Sequence, residues 1–186
     1  MNTLLIDTHA DFIFLAIYQN QEIKYKKESK EKKDHSTICM PLLIELLSES
    51  KLNINQIDDI IVVNGPGSFT GVRIGVTIAK IIAYTMNIPI RTITSLELYL
   101  NELTKDYQYI ALEEKNGFYV GNLINNQIKN YEYIKRNEWE KWNKNKKIFL
   151  CQNINYNNIC SFAKQKKPIN PHLVNPFYVK KIEAEK

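Results

Sequence analysis

Four of the six glycines of the chain lie in one window, and this window is the segment best suited to chemistry. It runs from residue 64 to residue 75 and reads NGPGSFTGVRIG. Glycines permit positive φ and close backbone approach, and successive N–H groups at a helix N-terminus can bind an anion, here with Arg73 nearby. The window lacks the Gly-Lys-Ser/Thr end of a P-loop and is not a dinucleotide fingerprint. Taken alone, it fits a tight structural turn better than an anion site.

A predicted buried strand and a predicted buried helix flank the glycine-rich window. Residues 60–63 (Ile-Ile-Val-Val) are a continuous β-branched run, typical of a strand covered on both faces of a parallel sheet. Residues 72–86 are apolar on nearly every turn, which predicts a helix buried against more than one surface. Small residues recur along this helix at every fourth position: Gly71, Gly75, Ala79 and Ala83. This ridge fits an intramolecular seam or a subunit interface, and the residues alone favour the seam.

The other apolar runs complete a first half with the order βββαβαβα. The further predicted elements are strands at residues 3–7, 12–18, 23–25 and 90–92 and helices at residues 36–50 and 96–103. Ser36 or Thr37 can cap the helix at 36–50, and Ser95 is predicted to cap the helix at 96–103. Pro41 lies near the start of the first helix and could kink it.

The second half begins again with strands and predicts a smaller, weaker copy of the first. Its predicted elements are strands at residues 107–112, 118–124, 127–134 and 147–151 and helices at residues 138–142 and 157–163. Asn116-Gly117 is the strongest hairpin dipeptide of the chain. A proline-containing tail follows and is expected to pack back on the body through Phe177 and Tyr178. We therefore predict two α/β lobes, residues 1–104 and residues 105–186.

Composition excludes several classes of protein. The chain has 186 residues, is 44% hydrophobic and has a formal net charge of +5, so it is not wholly disordered, collagen-like or stapled by disulfides. Cys39, Cys151 and Cys160 have no CxxC spacing and are expected to be reduced and mostly buried. No apolar run approaches the roughly 20 residues that span a bilayer. We therefore predict a cytoplasmic protein without a membrane anchor.

The positive charge belongs to the second half of the chain. Residues 1–100 carry 10 basic and 11 acidic side chains (−1), whereas residues 101–186 carry 15 and 9 (+6). Residues 129–147 combine seven cations with four aromatic residues: Tyr131, Tyr133, Trp139 and Trp142. Such a stretch could contact a nucleic-acid backbone and stack on bases. A solvated lysine-rich surface over aromatic core residues is the favoured alternative.

The segment GPGSFTGVRIG resembles the signature of the TsaB (also called YeaZ) family of threonylcarbamoyladenosine-tRNA biosynthesis proteins. Other segments agree with it in order and spacing. The opening LLIDT at residues 4–8 is similar to the family's first strand, and His35-Ser36 with Pro41 is similar to its first helix start. Pro89 and the TSLE at residues 94–97 resemble the element after its second helix. The resemblance covers residues 1 to 100 and continues only loosely beyond.

This resemblance implies an actin-like ATPase (ribonuclease H-like) fold and a non-catalytic role. The family supports TsaD, which transfers a threonylcarbamoyl group to N6 of adenosine 37 in tRNAs reading codons that begin with A. It also implies a TsaE-like ATPase, tRNA contact through the complex, and ATP use by the complex but no cofactor of this chain's own. Whether a homodimer forms in the absence of TsaD stays open from the sequence.

The resemblance also implies a partner interface on the first two helices, which shifts the interpretation of the small-residue ridge towards that contact or its backing. The expected interface residues are Leu42, Leu43, Leu46, Gly71, Arg73, Gly75, Val76, Ala79 and Ala83. A candidate anion- or nucleotide-binding loop comprises Asp7, Thr8, Gly65, Gly67, Ser68 and Thr70. Against nucleotide binding, the turn after the first strand contains no glycine, and His9 stands where the family usually has Ser.

Two other classes of function stay open from the residues. One is an enzyme on the same fold, either an ATP-using kinase-like protein or a two-metal nuclease that needs converging carboxylates. Asp7 and Glu45 are available for this, but Asp58 and Asp59 lie at the wrong end of their strand, and the histidines are isolated in sequence. The other is a tRNA-binding module that uses residues 129–147. We predict that the chain alone binds tRNA weakly.

Overall fold

The computed structural model describes residues 1–30, 35–103 and 106–180, which form two mixed sheets. The first sheet has the order β3-β2-β1-β4-β5. Its strands are β1 (Asn2–Asp7), β2 (Ile13–Gln19), β3 (Glu22–Ser29), β4 (Asp59–Val63) and β5 (Ile90–Ile93). Strands β1, β2 and β3 are antiparallel neighbours, and β4 and β5 run parallel to β1. This is the ribonuclease H-like order, so the predicted fold class is confirmed.

Two long helices cover one face of the first sheet. Helix α1 (His35–Ser50) contacts β2 and β3, and helix α2 (Phe69–Met86) contacts β4, β1 and α1. Alternate residues of the central strands, such as Leu4 and Ile6, point into the core beneath these helices. All five residues of β4 are buried, as its β-branched run predicts.

Helix α2 begins three residues before its predicted start. Ser68 caps it, because the Ser68 side chain accepts a hydrogen bond from the Gly71 N–H at 3.2 Å. Residues 69–71 of the glycine-rich window therefore belong to the helix and not to the loop. The helix ends at Met86, and the next residue, Asn87, caps it in a left-handed conformation with φ of 52°.

The segment after β5 differs from its prediction in both helix type and cap. A 3₁₀ helix spans Glu97–Glu102 in place of an α-helix, and Ser95 does not cap it. The Ser95 hydroxyl instead donates a hydrogen bond to the Pro66 carbonyl at 2.6 Å. Thr94 caps the turn instead. Its hydroxyl oxygen accepts a hydrogen bond from the Glu97 N–H, and the Glu97 carboxylate accepts a hydrogen bond from the Thr94 N–H.

The second sheet has the order β8-β7-β6-β9. Its strands are β6 (Tyr109–Glu114), β7 (Gly117–Ile124), β8 (Gln127–Lys135) and β9 (Ile148–Cys151), with the short helices α3 (Trp139–Asn143) and α4 (Ile159–Lys164). The hairpin turn between β6 and β7 lies one residue earlier than predicted, at Lys115-Asn116. Gly117 lies in β7, where a Cβ would overlap the Ile134 carbonyl of β8.

The two sheets share a hydrophobic core on the side of the first sheet away from α1 and α2. Leu5, Tyr18 and Ile61 from the first sheet pack there with Ile110 and Ile159 from the second half. The predicted lobe boundary, between residues 104 and 105, lies outside the described residues. Cys39, Cys151 and Cys160 are free and buried, as expected. Among the described residues, α2 is long and apolar enough to cross a membrane by length and composition, and one side of it packs in the core.

Candidate functional site

The glycine-rich window packs against the turn that follows β1. A Cβ at Gly67 would overlap the His9 carbonyl, a Cβ at Gly71 would overlap the Thr8 carbonyl, and a Cβ at Gly75 would overlap Thr8 Oγ1. The Thr8 hydroxyl donates a hydrogen bond to the Gly71 carbonyl at 2.7 Å and fixes this approach. The glycines are therefore required by an intramolecular seam between α2 and the end of β1.

Burial changes the interpretation of the expected interface residues. Eight of the nine are buried within the first lobe: Leu42, Leu43, Leu46, Gly71, Gly75, Val76, Ala79 and Ala83. The small ones lie inside because α2 must approach β1 and Thr8 closely, and the leucines of α1 fill the core over β2. They therefore lie behind the exposed surface of the two helices, and their part in a partner interface stays a prediction. Arg73 is the exposed member of the set.

Four exposed residues of α1 and α2 are large and apolar, and no sequence pattern had indicated them. We call Met40, Ile44, Ile81 and Tyr84 the apolar helix face; their side chains are 45%, 61%, 60% and 63% exposed. Ile81 and Tyr84 lie on one ridge of α2 with Arg73 and Thr77, because positions 73, 77, 81 and 84 are spaced by three or four residues. Since α1 is apolar on almost every turn, its pattern alone could not separate the exposed side.

Asp7, at the end of β1, is fully enclosed by its own chain. Its Oδ1 lies 2.6 Å from His9 Nδ1 and accepts a hydrogen bond from the His9 N–H at 3.1 Å. Its Oδ2 accepts a hydrogen bond from the Tyr156 hydroxyl at 2.7 Å. Burial, and then the neighbouring Asp7 carboxylate, raise the pKa of Tyr156 above its ordinary value, so the phenol keeps its proton and remains a donor. Both oxygens of Asp7 are thus engaged within the chain.

The contact between Asp7 and Tyr156 also joins the two halves of the chain. The Tyr156 ring stacks on Phe14 of β2 with ring centroids 3.7 Å apart, and its carbonyl accepts a hydrogen bond from the Tyr18 hydroxyl at 2.6 Å. Residue 156 is 149 positions from residue 7, so no local sequence pattern could have indicated the pair.

Removing the Tyr156 hydroxyl is expected to destabilise the fold. In Tyr156→Phe the stacked ring stays but Asp7 Oδ2 loses its donor in a buried position, which costs about 1–3 kcal/mol of unfolding free energy. Urea denaturation followed by circular dichroism measures the change. Tyr84→Phe is the matched control, because Tyr84 is 63% exposed, and its midpoint should equal that of the wild type. Equal midpoints for the two variants would contradict this role of Tyr156.

The remaining residues of the candidate anion-binding loop also have structural roles. Gly65 has φ of +106°, a conformation that favours glycine, and Ser68 caps α2. Thr8 is buried, while Thr70 is exposed on the first turn of α2. The structure brings Thr8, Gly67 and Ser68 together beside His9. Anion or nucleotide binding here stays a prediction.

A cleft of about 840 Å³ lies beside this loop, between the two sheets. Its charged lining residues are Asp11, Glu113, Glu114, Lys115 and Arg136. Arg136 is engaged, because it donates to the Glu113 carboxylate at 2.8 Å and to the Glu114 carbonyl at 2.6 Å. The lining therefore does not concentrate positive charge for a phosphate. Within the described ranges, no group of three or more His, Cys, Asp or Glu side chains could hold a metal ion.

The aromatic residues of the basic stretch are used in packing the second lobe. Trp139 stacks on Phe118 with centroids 3.8 Å apart, and Trp142 meets Tyr109 edge to face at 5.0 Å. Lys146 lies over the Trp142 ring, 4.5 Å from its centroid. These contacts occupy ring faces that single-stranded nucleic acid would need for stacking, which favours the packing alternative.

The C-terminal segment returns to the first lobe, and we call residues 169–178 the C-terminal strap. It begins with a hydrogen bond from the Ile169 N–H to the Ile90 carbonyl at 2.9 Å. Val174 is 1% exposed in the core under α2. The Phe177 N–H then donates to the Asn64 carbonyl at 2.7 Å. The prediction that Phe177 and Tyr178 pack back on the body is thereby confirmed, with Tyr178 stacked on Phe69 at 4.8 Å.

Strand order, sheet pairing and the glycine loop between β4 and α2 define a two-lobed protein of the actin-like ATPase type. Residues 21–110 match the family model described as "TsaD: tRNA N6-adenosine threonylcarbamoyltransferase". Over 97 residues the chain is 38% identical to the tRNA threonylcarbamoyladenosine biosynthesis protein TsaB of Bacillus subtilis, covering 52% of this chain and 42% of that protein. The TsaB of Buchnera aphidicola from Acyrthosiphon pisum is 31% identical over 105 residues, covering 56% and 47%.

The solved structure of YeaZ from Pseudomonas aeruginosa has the same fold. It superposes with a TM-score of 0.74 at 16% identity, covering 95% of this chain and 99% of that one. The TsaB-named relatives support the TsaB family, also called YeaZ, as the resemblance predicted, and the YeaZ structure has the same fold. The chain spans about half the length of the curated relatives it matches.

Proposed function

We propose that this chain is the non-catalytic partner subunit of a TsaD-type transferase in the biosynthesis of threonylcarbamoyladenosine in tRNA. The observation that carries the proposal is the apolar helix face. Four large apolar side chains on two helices that contact each other are between 45% and 63% exposed, and exposed apolar side chains grouped in this way are typical of a protein–protein contact. The names of the curated relatives place the family in this pathway.

The match to the transferase family model supports the choice of partner. The matched residues, 21–110, include both α1 and α2. A transferase of that family would therefore present a related pair of helices. Two such pairs can pack against each other as a four-helix contact, with each apolar face covering the other. A second copy of this chain could use the same face when the transferase is absent.

The state of Asp7 supports a non-catalytic role. A carboxylate at this strand end is the group that the enzyme alternatives would need for a metal or a nucleotide. Here both of its oxygens are engaged by His9 and Tyr156, and the residue is fully buried. We infer that ATP is used by other subunits, including a TsaE-like ATPase, that tRNA is contacted through the complex, and that the complex works in the cytoplasm.

A reconstituted modification reaction tests this proposal. It contains the TsaD-type and TsaE-type subunits from the same genome, unmodified tRNA, threonylcarbamoyl-adenylate and ATP, with or without this chain. Nucleoside mass spectrometry measures threonylcarbamoyladenosine. We expect the modification to depend on this chain and to be restored when it is added. Equal modification in its absence would contradict the proposal, and product formed by this chain without the transferase would establish an enzyme instead.

A further inference from the structure

We propose that Arg73 binds a carboxylate of the partner subunit at one end of the apolar helix face, and that Tyr178 is the residue that positions it. The proposal rests on the proposed function and deepens it, because it adds a polar contact of defined geometry to an apolar surface. It is carried by the C-terminal strap, whose last residues lie against the first turns of α2.

Three contacts hold the Arg73 side chain. Its Nε donates a hydrogen bond to the Tyr178 hydroxyl at 2.7 Å. Its guanidinium carbon lies 5.6 Å from the ring centroid of Phe69 and 5.6 Å from that of Tyr178. These two rings are themselves stacked 4.8 Å apart, with their planes 20° from parallel. An exposed arginine without such contacts samples many rotamers. The contacts therefore reduce the conformational entropy that the Arg73 side chain loses when it binds a partner.

The strap that supplies Tyr178 is fixed on both lobes. The carbonyl of Asn175 accepts a hydrogen bond from the Asn64 side chain at 3.2 Å. The Phe177 ring meets Tyr131 of β8 edge to face at 4.9 Å. A Cβ at Gly65 would lie 2.8 Å from the Phe177 carbonyl, so the strap also passes too close for any larger residue there. Tyr178 is thus a rigid support for Arg73.

The positioned guanidinium has donors without a partner among the described residues. Only Nε is used, and within the described parts of the chain no acceptor contacts Nη1 or Nη2. These two groups form the planar fork that pairs with both oxygens of a carboxylate. A free, oriented fork at the surface is suited to an anion supplied by another molecule.

The neighbours of Arg73 favour a protein carboxylate over a nucleic-acid phosphate. Thr77, Ile81 and Tyr84 continue the same exposed ridge of α2, and the two large ones are 60% and 63% exposed. A phosphate backbone is bound by clusters of cations. The nearest cation in sequence on α2, Lys80, is half-buried with its Nζ 3.4 Å from the His172 carbonyl of the strap. The partner surface that fits this face is a pair of helices with apolar side chains and an acidic residue at the end that meets Arg73.

A double-mutant cycle tests the positioning role. Dissociation constants for the TsaD-type subunit are measured for the wild type, Arg73→Ala, Tyr178→Phe and the double variant. We expect Arg73→Ala to weaken binding roughly 10- to 100-fold and Tyr178→Phe about 3- to 10-fold. The double variant should bind like Arg73→Ala alone, because Tyr178 acts through Arg73. Lys141→Ala, an exposed cation of α3, is the control and should bind like the wild type.

The outcomes separate this inference from the proposed function. Additive effects, or an unchanged affinity in Arg73→Ala, would overturn the inference while leaving the subunit pairing intact. If the wild type does not bind the transferase subunit, the proposed function fails and the inference fails with it. Arg73→Ala could instead lower the affinity for tRNA and leave the affinity for the transferase subunit unchanged. Arg73 would then bind a phosphate, and the proposal would be overturned.

A measurement on the isolated chain examines the support itself. NMR measures the rate at which the Arg73 Nε proton exchanges with water. The hydrogen bond to the Tyr178 hydroxyl should lower this rate. We expect this protection to fall at least tenfold in Tyr178→Phe. Equal exchange in both proteins would show that Tyr178 does not hold Arg73, whatever the partner does.

Discussion

Replacing Ile44 and Ile81 together by glutamate is expected to abolish pairing with the TsaD-type subunit while the chain stays folded. Both side chains are about 60% exposed, so the charges cost little in the free chain. In the complex, each carboxylate would be buried without a partner, at a cost of several kcal/mol. We expect the affinity to fall by at least about 100-fold, measured by calorimetric titration of the transferase subunit.

The matched control for this prediction is Ile124→Glu. Ile124 ends β7 in the second lobe and is 47% exposed, but it lies outside the apolar helix face. This variant should pair with the affinity of the wild type. If the double variant pairs equally well and its thermal unfolding is unchanged, α1 and α2 do not form the partner surface.

Gly75→Leu is expected to unfold the chain. The position is buried, and even a Cβ there would overlap the Thr8 hydroxyl that holds the end of β1. Accommodating a leucine requires α2 to move away from β1, which costs about 3 kcal/mol or more. Circular dichroism during urea denaturation measures the loss of unfolding free energy. Loss of pairing in this variant would therefore report unfolding and not a missing contact.

Thr77→Leu is the control for the glycine substitution. Thr77 lies on the same helix but is exposed, so leucine there should change the unfolding free energy by no more than about 0.5 kcal/mol. If Gly75→Leu were as stable as Thr77→Leu, the seam between α2 and β1 would not require glycine.

The sequence predicted the fold through local patterns that burial imposes. The β-branched run of β4 and the all-apolar α2 were recognisable because both are covered on several sides. The return of strands in the second half predicted a second lobe, and the family resemblance supplied the ribonuclease H-like fold, which the sheet order confirms. The predictions were wrong where a local signal was ambiguous. Ser95 was predicted to cap a helix, but its hydroxyl donates a hydrogen bond to a carbonyl 29 positions away.

The site was harder to predict because it depends on contacts between distant residues. The glycine spacing correctly marked a close approach, but its target, Thr8, lies 63 positions from Gly71 and carries no matching signal. The residues alone therefore favoured an intramolecular seam, which the contacts with Thr8 form, but they could not name its other side. Tyr178 is 105 positions from Arg73, so the support of Arg73 could not be read from either segment.

We have proposed that the chain pairs with a TsaD-type subunit through α1 and α2. Size-exclusion chromatography with light scattering tests it most directly, using this chain, the transferase subunit from the same genome, and their mixture. We predict a stable heterodimer with the summed mass of one copy of each, and its loss in the Ile44→Glu/Ile81→Glu variant. Separate elution of the two wild-type proteins, with or without the TsaE-type ATPase and ATP, would contradict the claim.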